Sequence, residues 1–329
     1  MFGSDAVDSS PEPQFPLVGL RWRIGASVAA LVVSLPSLVL SALIVVAIPY
    51  VLLAPWVAVA TGAIWLLSGA VLFSREEAML ARLAFRFRRP TGREVLALAT
   101  AWDNVTRAAR VDGSVYSLWI EDSRAVNAFA GAGHVVGVTK WAVLMLGQRQ
   151  LEAVLAHELG HHLDGRWWMD ALVRWYSLPF SVAYNVVGQV VMLPLLGIAR
   201  VVERNELTSR IVLLMVMVAV VVAPTVVVGM TVGLVFLLTP LVGLSAALWL
   251  TGAFVVEESA QALLSRRREA LADRVAVDLG YGRELRGVLS QHADSAKRAP
   301  LWWLGDTHPP VDARSAAITD RMDVIRRRQ

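Results

Sequence analysis

The chain has 329 residues, of which 56% are hydrophobic and 18% are charged, and its mean hydropathy of +0.55 is typical of a membrane protein. It contains no cysteine, which excludes disulfides, thiol nucleophiles and cysteine-ligated zinc, so any metal site must use histidine, aspartate or glutamate. The net charge is +4, and the arginine clusters flank apolar segments. This arrangement favours membrane topology signals and argues against nucleic-acid binding.

The N-terminal quarter predicts a short tail and a helical hairpin. Residues 1–20 carry three acidic residues and three prolines before any basic residue, which indicates a disordered cytoplasmic tail and not a signal peptide. Residues 21–75 predict a transmembrane hairpin with charge-free spans at 24–48 and 50–73 and a reversal at Pro49. A 25-residue helix is roughly 37 Å long, enough to cross a bilayer core of about 30 Å. Arginines at both ends of the hairpin place those ends in the cytoplasm.

Residues 76–170 predict a polar region of mixed secondary structure. The segment "EVLALATAWDNVTRAAR" has helical periodicity, and "VYSLWIEDS", "AVNAFAG" and "HVVGVTK" read as short strands. The turn Ala130–Gly133 predicts that the last two strands form a hairpin. A further helix, "RQLEAVLAHELGHHLDG", ends near Gly165.

The topology of the following segment is open between two schemes. Residues 211–256 have no charged side chain over 46 residues, nearly twice the length of one crossing. In the first scheme they form a second transmembrane hairpin, and residues 171–210 are interfacial or partly buried. In the second, 172–199 and 211–238 are the two crossings. Both cross an even number of times and return the polar, helical segment 257–329 to the cytoplasm.

The "HELGHH" segment, residues 157–162, contains the pattern H-E-x-x-H. Residues four apart share one face of a helix, so His157 and His161 can present imidazole nitrogens to one metal ion. Glu158 is then placed to act as general base on a metal-bound water. His162 lies about 100° around the helix from His161 and is expected to face away from the metal. The opposing interpretation is an ordinary amphipathic helix whose histidines are surface or core-edge residues.

A second segment, "SRRREALADRVAVDLG", supplies the carboxylate that two histidines leave missing. Glu269 and Asp273 are four apart on a predicted helix, with alanines that keep the helix narrow. The chemistry suggests that Glu269 binds the metal, whereas Asp273 accepts the N–H of a ligand imidazole and fixes its tautomer. The alternative is a solvated acidic pair among arginines.

Taken together, these segments resemble the HtpX-like and CAAX prenyl protease family of integral membrane zinc metallopeptidases. The resemblance rests on "HELGHH" and "SRRREALADRVA", on "AVNAFA" at 125–130, and on "THPPVDAR" at 307–314. It covers about residues 95–315 in order. It implies Zn²⁺ on His157, His161 and Glu269, with Glu158 as the base.

The resemblance also implies the substrate-binding residues. Asn127, Ala128 and Phe129 would lie on an edge strand that pairs with an extended substrate backbone. Either His308 or Arg314 would donate to the oxyanion or the substrate carbonyl.

The resulting expectation is a mainly α membrane protein, with transmembrane helical hairpins and a cytoplasmic zincin-like α+β metalloprotease domain that contains a small β-sheet. That domain would combine residues 76–170 and 257–329. The resemblance implies a multi-pass protease of the plasma (inner) membrane that acts on polypeptides, mainly membrane proteins, in quality control. Two alternatives stay open: a processing protease for a specific peptide, and a catalytically silent metal-binding scaffold. The sequence does not indicate the oligomeric state.

Overall fold

A computed structural model describes residues 20–70, 87–123, 128–131, 134–164, 167–203, 225, 228–296 and 310–328. Residues 1–19 of the tail expected at 1–20, and most of 204–227, lie outside the described residues. The chain divides into two compact units. The first comprises Met1–Ala29, Val71–Asp170 and Ala262–Gln329, and the second comprises Ala30–Ala70 and Ala171–Gln261.

The first unit contains a four-stranded mixed sheet with the order β1-β2-β4-β3. Its strands are β1 (Phe87–Arg88), β2 (Ser117–Glu121), β3 (Ala128–Gly131) and β4 (Val135–Thr139). Strand β4 pairs with β2 in parallel and with β3 antiparallel, and β1 pairs antiparallel with β2. Gly131 lies opposite Val135, so the predicted hairpin across Ala130–Gly133 is present. Strand β1 was not predicted, because two residues are too few for a visible alternation.

Helices surround this sheet. They are α3 (Arg93–Ala109), α4 (Lys140–Met145), α5 (Gln148–Leu163), α9 (Gly282–Ala296) and α10 (Val311–Arg326), with the C-terminal part of α8 (Leu244–Asp278). Their common core contains aliphatic residues from α3, from the sheet and from α5, with fewer from α8, α9 and α10. The fully buried members include Leu98, Ile120, Val138, Leu155, Leu159 and Ile318. A small sheet with helices packed on it, as expected from the sequence, is confirmed.

Helix α5 is the central helix of this unit. Every residue from Leu151 to Gly160 is buried, whereas an amphipathic surface helix would expose one face. The helix begins after Gly147, whose N–H donates to the side chain of Gln150 at 3.1 Å. Its histidines are therefore enclosed by protein, and a surface role for His157 is wrong.

The second unit is a helical bundle made from α1 (Leu20–Leu52), α2 (Pro55–Ser68), α7 (Val228–Val242) and parts of α6 (Trp167–Glu203) and α8. Its core contains Leu40, Phe180, Leu238, Ala247 and Phe254. Among the described residues, one helix segment, Ser27–Leu52, is long and apolar enough to cross a membrane. Helices α2 and α7 are apolar but shorter.

Two helix boundaries differ from expectation. Helix α1 continues through Pro49 to Leu52, because the Pro49 carbonyl accepts from the N–H groups of Leu53 and Ala54 at 3.0 and 3.1 Å. The chain reverses before Pro55, which begins α2. The second difference concerns α8, which runs without a break from Leu244 to Asp278 and so joins the apolar block to the Glu269 segment.

Candidate metal centre

His157 and His161 on α5 and Glu269 on α8 form a cluster in the first unit. Each offers a ligand atom, and these atoms lie within 4.8 Å of one another. Glu269 faces both histidines: Oε2 is 3.5 Å from His157 Nε2, and Oε1 is 3.5 Å from His161 Nε2. The two imidazole rings are 4.8 Å apart and nearly perpendicular. The histidine segment of α5 and the carboxylate segment of α8 are thus paired, as the four-residue spacing within each segment suggested, and their three ligand atoms lie around one point.

This donor set fits a zinc ion. Tetrahedral ligands with bonds of about 2.0 to 2.1 Å are about 3.3 Å from one another. The two distances of 3.5 Å from Glu269 to the imidazole nitrogens are close to that separation. Two imidazoles and one carboxylate leave a fourth position for water, as catalytic zinc sites require.

A close helix contact makes this geometry possible. Gly160 of α5 faces Ala272 of α8, and a Cβ added at Gly160 would lie 2.7 Å from the Ala272 Cα atom. No side chain larger than hydrogen fits there without moving one helix. The glycine between the two histidines therefore fixes the distance that Glu269 must bridge.

Asp273 contacts the ring nitrogen of His157 that faces away from Glu269. Its Oδ1 lies 2.9 Å from His157 Nδ1, so the Nε2 atom of the same ring is directed at Glu269. A carboxylate on the second ring nitrogen fixes the tautomer and orientation of a metal-binding histidine.

Arg314 on α10 connects both carboxylates. Its Nε and Nη2 donate to the two oxygens of Asp273 at 2.9 and 2.7 Å, and its Nη1 lies 3.2 Å from Glu269 Oε2. The side chain is only 10% exposed. The fork geometry of guanidinium suits such a two-point contact. Arg314 thus packs against the acidic residues of α8, a position that the sequence comparison did not anticipate.

The two histidines of the cluster have pKa values that are shifted in opposite directions. Burial lowers the pKa of His161 to about 3, and the charge of His157 acts in the same direction. Burial also opposes protonation of His157, but Asp273 and Glu269 outweigh it and raise the pKa of His157 to about 9. Glu269 is buried, yet the two histidines and Arg314 lower the pKa of its carboxyl group, which keeps it ionised. A metal ion held by this cluster would displace the Nε2 proton of His157, because a ligand imidazole must be neutral.

The structure describes some of the remaining predicted site residues and not others. Glu158 is only 6% exposed and follows His157 on α5, where its negative charge contributes to the raised pKa of His157. Ala128 and Phe129 lie on β3, which is at one end of the sheet and pairs with β4. Asn127 and His308 lie outside the described residues.

His162 takes no part in the cluster. Its ring lies beside that of Tyr116 at 5.2 Å and is stacked with that of His134 at 6.1 Å. Burial lowers the pKa of His162 to about 4, so it is neutral at physiological pH. His134 itself has a positive φ of 61° in the chain segment before β4.

A buried helix with two histidines four apart, completed by a carboxylate from a second helix, defines the metallopeptidase class of site. The sequence model of peptidase family M48 matches residues 97–322, and the chain belongs to this family. The match begins in α3 and ends in α10, so it includes both segments of the cluster. The family contains HtpX and CAAX prenyl protease, and the resemblance seen in the sequence is confirmed. No curated protein sequence matches the chain significantly.

Proposed function

We propose that this M48 peptidase is a membrane-anchored zinc endopeptidase, with His157, His161 and Glu269 as the metal ligands. The observation that carries the proposal is the convergence of their ligand atoms within 4.8 Å inside the protein. A bound zinc ion would supply Lewis acidity, which polarises a peptide carbonyl and acidifies water.

The protein groups around the ion have separate tasks in this proposal. Glu158 takes a proton from the attacking water and passes it to the leaving amine. Asp273 holds the proton on His157 Nδ1, so that Nε2 keeps its lone pair for the metal. Arg314 holds Asp273 in that position and balances the negative charge of Glu269.

Substrate binding is proposed from the position of β3. A strand at the end of a sheet can add the backbone of an extended peptide as a further strand, so Asn127, Ala128 and Phe129 would align the substrate. His308 would donate to the oxyanion that develops at the scissile carbonyl. Arg314 is already engaged by Asp273 and Glu269, and this favours His308 for that role.

The second unit supports membrane anchoring. Large apolar side chains on its helices are exposed, including Trp56 at 74%, Phe236 at 76% and Trp249 at 80%. Exposed apolar surface of this extent is expected where lipid replaces water. With the arginine clusters at the ends of the first hairpin, we place the protein in the plasma membrane with its active site in the cytoplasm.

A contact within this unit bears on the two topology schemes. Phe180 of α6 packs in the same core as Leu40, which lies in the middle of the candidate span of α1. The backbone N–H of Phe180 also donates to the buried Ser41 hydroxyl at 3.1 Å. A segment at the depth of the middle of a crossing helix is itself within the membrane. We therefore propose that 172–199 crosses the membrane. Because Ala247 and Phe254 of α8 lie in the same core, the return crossing in this proposal includes the N-terminal part of α8 and not 211–238 alone.

The substrates in this proposal are membrane polypeptides, and the task is quality control. A processing protease for a specific peptide is the alternative within the same class. A catalytically silent metal scaffold is the alternative outside it, and Glu158 argues against that, because a structural zinc site needs no base.

The substitution Glu158→Gln tests the reaction. It removes the base but no proposed ligand, so we expect proteolysis of an unfolded membrane substrate to fall about 10²- to 10⁴-fold with zinc content unchanged. Metal analysis and cleavage rate are measured on the same preparation. Glu121→Gln makes the same chemical change on β2, outside the cluster, and should leave both unchanged. An active Glu158→Gln protein would refute the mechanism.

A further inference from the structure

A second arginine lies next to the candidate metal centre. Arg268 directly precedes the ligand Glu269 on α8, and its charge is among those that lower the pKa of His161. Arg314 acts on His161 in the same direction, but its side chain is only 10% exposed and is held by two carboxylates. The side chain of Arg268 is 30% exposed. Of these two arginines, Arg268 is therefore the one that a substrate can reach.

Asp170, in the first turn of α6, orients the side chain of Arg268. The Nη1 atom of Arg268 lies 2.8 Å from Asp170 Oδ2, and both residues belong to the first compact unit. This contact uses one nitrogen, whereas Arg314 binds Asp273 through two. The buried Nε atom of Arg268 has no hydrogen-bond partner among the described residues. The guanidinium is thus held at one nitrogen and keeps N–H donors for a further acceptor.

The ion pair between Arg268 and Asp170 lies on the more open side of the metal position. His161, at 14%, is the most exposed of the three ligand side chains, and it is the ligand on which the charge of Arg268 acts. The pair itself is partly exposed, and such pairs contribute little to the free energy of unfolding. Its removal should therefore leave the fold intact, so that its part in substrate binding can be measured.

The charge balance of this pair favours a neutral acceptor. Arg268 and Asp170 together have no net charge, so a substrate carboxylate would gain little there from electrostatic attraction. A backbone carbonyl is a neutral acceptor, and every residue of a peptide carries one. In an extended peptide, carbonyls on the same side recur about every 7 Å. A substrate with its scissile carbonyl at the metal position therefore presents another carbonyl close to a side chain that adjoins a ligand.

We propose that Arg268 donates to a backbone carbonyl that flanks the scissile bond of the substrate, and that Asp170 positions the guanidinium for this contact. Arg268 is then a substrate-binding residue and Asp170 a positioning residue. The inference rests on the proposed peptidase function and adds a contact that is independent of the substrate's side chains. A hydrogen bond from a charged donor corresponds to roughly a tenfold to hundredfold difference in affinity.

The substitution Arg268→Gln tests the contact, with β-casein as an unfolded probe and the zinc-loaded, full-length protein in detergent. We expect KM to rise about tenfold or more and kcat to change less than about threefold, since bound substrate and transition state share the contact. The cleavage sites, identified by mass spectrometry of the fragments, should be those of the parent, because every residue offers the same carbonyl. The control, Arg267→Gln, removes the same charge from the next, exposed residue and should keep the parental KM.

Exchanging the two side chains separates substrate binding from a structural role. The double variant Asp170→Arg/Arg268→Asp restores an ion pair, so a purely structural role would be rescued. We expect zinc content to be kept and KM to stay raised, because the donor then lies on α6. Asp170→Asn alone should raise KM less than Arg268→Gln, since it loosens the guanidinium but leaves its donors in place.

Several results would overturn the proposal. A parental KM in Arg268→Gln or in the exchanged variant would show that Arg268 does not contact the substrate. An equal rise in KM in Arg267→Gln would show a general charge effect, and loss of zinc from Arg268→Gln would assign the residue to the metal site. Selective loss of cleavage beside acidic residues would assign it to a side-chain carboxylate.

A failure of this contact is distinguishable from a failure of the peptidase mechanism. Casein binding is also measured in the Glu158→Gln background, with and without Arg268→Gln, where the affinity reports the contact without cleavage. We expect Arg268→Gln to weaken binding about tenfold or more in that background as well. Equal binding would reject the contact alone, whereas an active Glu158→Gln protein would reject the mechanism whatever Arg268 does.

Discussion

At the scale of single residues, the candidate centre is a series of contacts in which each side chain fixes the next. Arg314 holds Asp273, Asp273 holds His157, and His157 faces Glu269 across the metal position. All four are buried or nearly so. In such surroundings an unpaired charge is costly, so the loss of one member affects all the others.

Arg314→Gln tests this series. The substitution removes the guanidinium that pairs with the buried carboxylates of Asp273 and Glu269, which costs about 3 to 5 kcal/mol of stability. It also loosens His157, and we expect zinc affinity to fall 10- to 100-fold. Unfolding temperature and competition with a zinc chelator measure the two effects.

Arg321→Gln is the matched control. Arg321 lies on the same helix and also forms a two-point bond to an aspartate of α8, Asp278, away from the metal cluster. It should lower stability less, since this pair is more exposed, and should leave zinc affinity unchanged. If both variants lose zinc equally, Arg314 has no specific link to the metal site.

Gly160→Ala is a second residue-scale prediction. The added methyl group would lie 2.7 Å from the Ala272 Cα atom, so α5 and α8 must separate. We expect a loss of about 1 to 3 kcal/mol in stability and a clear fall in zinc affinity. Calorimetric zinc titration measures the second effect.

Gly287→Ala makes the same change on α9, where a Cβ meets nothing within 4 Å. It should be neutral or stabilise the protein by up to about 1 kcal/mol through helix propensity. Unchanged zinc affinity in the Gly160 variant would show that the helix contact is not a constraint on the site.

The sequence predicted the residues of the cluster but not all of their neighbours. The spacing of His157 with His161, and of Glu269 with Asp273, follows from the period of one helix and can be read from the chain alone. The contacts of Arg314 and Gly160 depend on how two helices are placed against each other. No local period encodes that register, and only the small residues of α8 suggested a close approach.

At the scale of secondary structure, prolines in long apolar helices are poor markers of helix ends here. Pro36 lies inside α1, and the N–H of the next residue, Ser37, donates to the Glu257 carboxylate at 3.0 Å. Phe180, next in the chain after Pro179 of α6, donates its N–H to Ser41. A proline ring opens the preceding turn, and a polar side chain from another helix can bind the group that this leaves accessible. The helices therefore continue through Pro36 and Pro179.

The start of α3 is tied to β1 by a buried charge. Arg88 donates to both oxygens of Glu94 at 2.7 and 2.8 Å, and Glu94 also accepts from the N–H of Thr91. The hydrogen bond from Arg88 outweighs burial and lowers the pKa of Glu94 from 4.5 to about 2. A carboxylate in the first turn also interacts favourably with the helix dipole.

The ion pair between Arg88 and Glu94 predicts that part of the stability of the folded protein is lost in acid. Because the folded-state pKa of Glu94 is depressed, its contribution is present above pH 4.5 and is lost as the pH falls from about 4.5 to about 2. We expect it to be on the order of 2 kcal/mol at neutral pH. Glu94→Gln should unfold at a lower temperature than the parent at pH 7, and the difference should narrow towards pH 3. A difference that is constant with pH would exclude the charge as its cause.

At the scale of the whole molecule, the sequence predicted the class of fold correctly, since a mainly helical chain with a small sheet is observed. The polypeptide divides into two units, each made of non-contiguous segments. The number of membrane crossings could not be predicted from the alternation of apolar and polar stretches. A charge-free block of 46 residues fits more than one arrangement of helices, and hydropathy does not distinguish among them.

The topology is tested by a reporter inserted after Arg204, just beyond α6. If 172–199 crosses the membrane, the reporter lies outside the cell, whereas the interfacial scheme places it in the cytoplasm. A reporter at the C-terminus should be cytoplasmic in both schemes and serves as the control. A cytoplasmic signal after Arg204 would return the assignment to a hairpin at 211–256.

The contact between Gly160 and Ala272 also bears on how such centres are recognised and rebuilt. The pattern H-E-x-x-H leaves two residue positions unspecified, and in this protein Leu159 and Gly160 occupy them. Leu159 is fully buried in the core, and Gly160 is the point where two helices touch. A designer who copied only the histidines and the glutamate into another helical scaffold would reproduce the spacing along one helix. The glycine and its alanine partner would have to be transplanted with them, because they determine whether a third ligand can reach the ion.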